Sequence, residues 1–355
     1  MKKLFVLILA LAVVLCGCAN ETPSENTVAG SGTKTLTVFN WYDYIDPDAL
    51  EMFTEETGIE IKYCCFTTTE EMYTKIEAGA GSYDVAFPSD YMIERMMAND
   101  MLEELNLDNI PNLANIIERF RNPDYDPEGK YSVPYMWGTL GILYNTTMVD
   151  EEIDSWSVLF DGSYAGDIIM MNSMRDTLTL TLKYLGYSAN THNADELNAA
   201  AELLVQQKKD KIPGGYLLDE TKDKMAGNEA AIGILYSGDA EYAIELNEDL
   251  EYVVPKEGSN VWVDGMVIPK GSKNKEAAEQ FINFLCRDDI AQMNFEYIYY
   301  CSPIQSVVDG LDEEDAESDT VNPSDEVIDR CEFHHDVSEC MELYENAWME
   351  VRLAR

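Results

Sequence analysis

Short β-type runs alternate with helix patterns along most of this chain, and that alternation limits the fold more than any other feature. Residues 36–39 form a short apolar run. Asp46-Pro47 then opens a helix, with Asp as N-cap, Pro in the first position, Leu50 and Phe53 on one face and Gly58 at the end. Residues 59–66 alternate as a second strand, residues 68–78 carry Met72 and Ile76 at helical spacing, and residues 79–81 stop that helix. A third strand at 83–87 leads to Pro88-Ser89-Asp90, which caps a helix bearing Met92, Ile93, Met96 and Met97. The pattern resumes with a strand at 167–171, helices at 175–184 and 194–208, and strands at 230–235 and 251–255. Helices at 275–286 and 340–353 follow. This order predicts α/β architecture on a mostly parallel sheet.

The N-terminus reads as an export signal. Lys2 and Lys3 precede an apolar run over residues 4–15, too short to span a membrane comfortably and suited to a signal peptide. The run ends in Leu15-Cys16-Gly17-Cys18, which resembles the bacterial lipobox and implies diacylglycerol on Cys18 after cleavage before it. Bulky Leu15 makes Cys16 a poorer acceptor. The competing reading is an uncleaved N-terminal anchor; both put the rest of the chain outside the cytoplasmic membrane, on its periplasmic or outer face. Residues 1–18 are thus read as a lipoprotein signal and the polar residues 19–33 as a flexible tether. A single lipidated cysteine tethers a protein without spanning the bilayer. Residues 34–355 suit two domains better than one.

With 67 acidic and 24 basic residues the formal net charge is -43, which excludes nucleic-acid binding by phosphate neutralisation. An acidic surface draws cations, although many exported proteins are acidic for solubility alone. Beyond Cys16 and Cys18, six cysteines remain of the 8. Cys331 with Cys340 or Cys286 with Cys301 are possible disulfides, and free thiols are the default. No zinc spacing is present, the acidic stretch 309–325 lacks EF-hand ligand spacing and reads as a solvated loop, and neither metal nor cofactor is implied. Nucleophile-elbow, zincin, Walker and dinucleotide motifs are missing, so no catalytic residue is assigned. A hydrolase using two carboxylates stays open, because so acidic a chain offers many pairs.

Aromatic–acid clusters follow the expected strands. They are Asn40-Trp41-Tyr42-Asp43-Tyr44, Pro88-Ser89-Asp90-Tyr91, Tyr236-Ser237-Gly238-Asp239 and Val261-Trp262-Val263-Asp264-Gly265. In open α/β sheets ligands bind at strand carboxyl ends. An alkyl polyamine matches such clusters: its ammonium groups leave water only if paired, and aromatic faces cover the methylenes while attracting the cation.

The same residues resemble the spermidine/putrescine-binding proteins of bacterial ABC importers, over most of residues 36–355. The likeness rests on Phe39-Asn-Trp-Tyr-Asp-Tyr-Ile-Asp-Pro47, Tyr83-Asp-Val-Ala-Phe-Pro-Ser-Asp-Tyr91, Val133-Pro-Tyr-Met-Trp-Gly-Thr-Leu-Gly-Ile-Leu-Tyr-Asn145 and Trp262-Val-Asp-Gly-Met-Val-Ile-Pro269. It implies a type II periplasmic-binding fold of two α/β lobes around a ligand cleft. The lobes are drawn as residues 34–138 with 265–302, and 139–264 with 303–355. It implies a monomer that captures a polyamine and delivers it to the permease subunits, without chemistry. By that likeness Trp41, Tyr44, Ser89 and Tyr91 line the slot from the first lobe, Trp262 stacks on the chain and Asp264 holds one ammonium. Tyr236 replaces a common tryptophan, Tyr300 matches a family tyrosine, and His334 falls where a glutamine is common, with no role assigned. Ser173 and Asp176 stand where the family often has an aspartate and then a glutamate. Asp176 still serves as the distal anion or, equally, as a first-turn acid of its helix; Ser173 cannot, which favours a shorter diamine unless Asp43 or Asp239 compensates. The alternative is the same fold with another cargo, a sugar, thiamine or an amino-acid derivative.

Overall fold

The computed structural model describes residues 34–354; the signal, Cys18 and the tether lie outside them. Its strands are β1 (Lys34–Asn40), β2 (Ile59–Cys65), β3 (Val85–Ala86), β4 (Ser132–Asn145), β5 (Ile168–Met171), β6 (Pro213–Leu217), β7 (Ile232–Tyr236), β8 (Leu250–Val253) and β9 (Val261–Val267). They join in the order β2-β1-β3-β9-β4-β7-β5-β6, with β8 also on β4. The helices are α1 (Pro47–Thr57), α2 (Thr69–Ala78), α3 (Asp90–Ala98), α4 (Met174–Tyr184), α5 (Ala194–Lys209), α6 (Glu220–Ala226), α7 (Ser237–Leu246), α8 (Lys275–Leu285), α9 (Asp288–Ile298), the short α10 (Gln305–Asp309), α11 (Glu313–Glu317) and α12 (Asp325–Asp329), and α13 (Met341–Leu353).

Local signals behave as their chemistry dictates. The Asp46 carboxylate accepts from the Asp48 amide at 2.9 Å, Pro47 starts α1, and Gly58 ends it with φ 71. The acidic stretch is not all loop: α11 lies within it, between the end of α10 and the start of α12. Among the described residues all six cysteines are free, so neither candidate disulfide is formed.

The sheet departs from the expected mostly parallel form. β1 with β2 and β3, and β5 with β6 and β7, are parallel. β4 runs antiparallel to β7, β8 and β9, and β9 antiparallel to β3. The reason is β4, a fully buried strand of 14 residues that carries Pro134 and two glycines and so lacks a strand's usual pattern. A register shift between Pro134 and Met136 accommodates the proline.

β4 also connects the two larger of three hydrophobic cores, and its Leu143 joins the smallest. Its first half, through Trp137, packs with β1, β2, β3, β9, α1, α3 and α8; from Leu140 onward it packs with β5, β7, α4, α5 and α13. Val261, Val263, Ile304, Val307 and Ile328 lie in the first core, Val337, Tyr344 and Val351 in the second. Each core is thus fed by separate stretches of chain, the arrangement of a two-lobed binding fold.

The return segment is fastened by close backbone contact. Gly258 has φ 83, and a methyl group on it would overlap the Arg330 carbonyl. Beside it the Glu332 amide donates to Ser259 at 2.9 Å and the Val261 amide donates to Glu332 at 3.1 Å. Gly258→Ala is therefore expected to destabilise the fold by about 1–3 kcal/mol, from overpacking and a strained φ. Urea unfolding checks this; an unchanged midpoint would refute it.

Candidate functional site

Ser89 occupies the N-cap of α3, yet its hydroxyl makes no cap bond. It donates instead to Asp264 Oδ1 at 2.6 Å, across a backbone bridge between the two residues. Asp264 is only 5% exposed, and burial pushes its carboxyl up to about 6 although Ser89 and Tyr44 lean the other way. The Tyr44 hydroxyl lies buried beside this carboxylate without a hydrogen bond of regular geometry. The Tyr135 hydroxyl donates to the Tyr44 carbonyl at 2.8 Å and holds that residue from behind.

From Asp264 a row of rings leads away. Tyr44 meets Tyr300 edge-on with centroids 6.0 Å apart, Tyr300 meets Trp262 at 5.0 Å, and Trp262 meets Tyr236 at 5.8 Å. The Tyr236 hydroxyl then donates to Asp176 Oδ2 at 2.9 Å. Ser173, which cannot itself act as an anion, donates its hydroxyl to the same oxygen. Asp176 is 5% exposed, and burial raises its pKa against the pull of Ser173 and Tyr236. Four rings thus run between two buried carboxylates. Asp239 flanks the row, accepting from the Tyr300 hydroxyl at 3.3 Å and pairing with Lys222 at 2.8 Å.

Two glycines permit the close packing. A methyl on Gly138 would stand 2.8 Å from the Trp262 ring, and one on Gly238 would collide with the Tyr300 ring. Trp262 and Asp264 are two apart on β9, so their side chains leave the strand on one face.

The remaining expected residues are not part of this row. Trp41 is half-buried against Phe66 and donates its indole N–H to the Phe87 carbonyl at 3.0 Å. Asp43, with φ 48, is exposed and faces Tyr63 and Tyr297. Tyr91 donates to Glu70 at 3.1 Å, and the Arg175 guanidinium lies 5.7 Å from its ring. His334 packs edge-on to Tyr91, bonds Thr179 at 2.8 Å, and is held well below its usual pKa by burial.

Three groups had escaped sequence reasoning. Asp90 was read as a cap residue; it is 1% exposed, its Oδ1 accepts from the Tyr91 amide at 2.7 Å, and burial raises its pKa strongly. Arg175 is a buried cation whose field reaches Asp90 and Asp176. Lys222 lies on α6, in a stretch for which sequence reasoning assigns no element. Asp90 lies in a cluster the sequence singles out, but its burial is not legible there; for Arg175 and Lys222 long-range partners decide, and no local pattern signals them. Among the described residues no group of His, Cys, Asp or Glu is arranged to hold a metal.

Comparison with known proteins agrees with this architecture. The family model for bacterial extracellular solute-binding proteins matches residues 48–323. A spermidine/putrescine-binding periplasmic protein of Salmonella typhimurium is 32% identical over the whole of both chains. The crystal structure of the spermidine/putrescine ABC transporter substrate-binding protein PotD from Streptococcus pneumoniae superposes with a TM-score of 0.81 at 39% identity, covering 90% of this chain and 99% of that one. The PotD lipoprotein of Treponema pallidum gives a TM-score of 0.81 at 26% identity, with the same shares covered. The chain belongs to the bacterial extracellular solute-binding proteins and, within them, stands among the relatives of the spermidine/putrescine-binding periplasmic proteins.

Proposed function

We propose that this protein captures an alkyl polyamine, putrescine or spermidine, outside the cytoplasmic membrane and hands it to the permease of an ABC importer. One observation carries the reading: Asp264 and Asp176 are both buried, and among the described residues neither has a cationic side chain within 4.0 Å. A buried carboxylate without a counter-ion is costly, so a site with one at each end of an aromatic row favours a ligand that brings two cations. The rings of Tyr44, Tyr300, Trp262 and Tyr236 suit the methylene chain between them, each cation–π contact adding roughly 0.5–2 kcal/mol.

In this reading Ser89 orients Asp264, Ser173 and Tyr236 orient Asp176, and Tyr91 and Trp41 shape the rim. The two cores support lobes near residues 34–138 with 265–302 and 139–264 with 303–355, with the apolar residues of 261–264 and 303–328 counted with the first. The protein acts as a monomer and catalyses nothing. The relationship to a treponemal lipoprotein supports a lipid anchor on Cys18; radiolabelled-palmitate incorporation lost in Cys18→Ser tests that part.

Calorimetry with putrescine, spermidine and a neutral sugar tests the central claim. A ligand at a hundred times its Kd stabilises the folded state by about 2.7 kcal/mol, so either amine also raises Tm. Heat and a Tm shift from the sugar, with none from the amines, would reassign the cargo.

A further inference from the structure

Lys222, on α6, holds its partly exposed ammonium beside the ring row, through Asp239. Its Nζ lies 2.8 Å from Asp239 Oδ1 and 5.4 Å from the Tyr242 ring centroid. A carboxylate and an aromatic face are the partners that a polyamine nitrogen needs. Asp239 is joined to the row itself, because its other oxygen accepts from the Tyr300 hydroxyl. Gly238 sets this junction: without a side chain, it lets the Tyr300 ring lie against the first turn of α7, from which Asp239 projects.

The charges around the row can be compared. Asp264, Asp176, Asp90 and Asp239 are the carboxylates in or beside it, Asp219 also acts on Asp239 and Tyr300, and Lys222 and Arg175 are the cations that act on them. Burial favours the neutral form of Asp90 and Lys222 pairs with Asp239, so Asp264 and Asp176 are the two carboxylates of the row left without a cationic side chain within 4.0 Å among the described residues. His334 is buried and neutral and does not alter the balance. A diammonium chain completes it; a triammonium chain brings one positive charge too many into a poorly hydrated space.

We propose that Lys222 is a specificity-determining residue: a built-in ammonium that satisfies Asp239 and so tunes the site to diamines over triamines. This rests on the polyamine reading above. Lys222 need not touch the ligand; it acts by occupying the anion that a third amino group would need.

Calorimetry on the purified protein, with putrescine and spermidine at one ionic strength, tests this. The wild type is expected to bind putrescine more tightly. Lys222→Met, which keeps chain length and removes charge, is expected to shift the ratio of the two affinities toward spermidine by about tenfold or more. Lys222→Arg is expected to keep the wild-type ratio. Should Lys222→Met not fold, Asp239→Asn serves: it leaves the lysine charge unbalanced beside Tyr300 and is expected to weaken both amines by about tenfold. A wild type that prefers spermidine, an unmoved ratio in Lys222→Met, or unchanged affinities in Asp239→Asn each overturn the proposal while leaving polyamine capture standing. A wild type that binds neither amine overturns both.

Discussion

Replacing Asp264 with alanine is expected to weaken polyamine binding by about 2–5 kcal/mol, because the ligand ammonium then enters a buried site without its carboxylate. The more informative variant is Asp264→Asn, which keeps the shape and can still accept from Ser89. It should lose binding in the same range yet make the ligand-free protein more stable at neutral pH. The sign follows from linkage. Burial raises the folded-state pKa of Asp264 from 3.8 to about 6. The folded form therefore holds this proton more tightly than the unfolded chain. The carboxyl costs nothing extra below pH ~4, where both states are protonated, and its burial penalty develops as pH rises to about 6 and persists above. That penalty is on the order of 3 kcal/mol. Wild type and Asp264→Asn should thus unfold at similar urea concentrations near pH 4 and diverge by pH 7, the variant being the more stable. Polyamine affinity of the wild type should rise over the same window, since the cation binds the ionised form. Equal stabilities at both pH values, with affinity retained, would show that Asp264 is neither strained nor in contact with the ligand.

Such a trade of stability for binding explains what could be read in the sequence. Patterns set by neighbours along the chain were legible. Asp46-Pro47 and Gly58 bound α1 as their backbone preferences require, and Trp262-Val-Asp264 sets a ring and an acid on one strand face. What depended on distant partners was not. β4 carries Pro134, Gly138 and Gly141 inside a buried strand, so the propensities that mark strands are diluted where the chain crosses between cores. Each anomaly has a tertiary cause: a register shift at Pro134, the Trp262 ring against Gly138, the Tyr252 ring against Gly141. The antiparallel centre of the sheet followed from that strand and was missed with it. In the site, the aromatic–acid clusters named Tyr44, Ser89, Tyr236, Trp262 and Asp264, and the family resemblance named Tyr300; the fold brings these six together. Trp41, Asp43 and Tyr91 share those clusters but are not part of the ring row, because neighbouring residues after a strand, in the turn at Trp41 and Asp43 or the first turn of α3 at Tyr91, point different ways. Lys222 could not be picked out from the other charged residues of α6 before Asp239 was placed beside it.

Trp262→Ala is expected to have the second large effect, and it should appear in two observables at once. The ring is 7% exposed, wedged edge-on between Tyr300 and Tyr236 over Gly138, with its indole N–H unbonded among the described residues. Truncation leaves a cavity the size of an indole, and the expected loss of stability is about 3–5 kcal/mol. The same cavity removes the face against which the methylenes would lie, so affinity should fall as well, and thermal unfolding alone could not separate the two roles. Trp262→Phe separates them. Phenylalanine fills part of the volume and keeps a quadrupole, though a weaker one, so most of the stability should survive while affinity drops by roughly 0.5–2 kcal/mol. Trp262→Leu retains an apolar filling without any quadrupole and should bind more weakly than the phenylalanine variant at comparable stability. If the leucine and phenylalanine variants bind putrescine equally well, the ring contributes packing only and the cation is held by carboxylates alone. If both bind as tightly as wild type, Trp262 is a core residue, and the wall of the slot must be sought on Tyr44 and Tyr300.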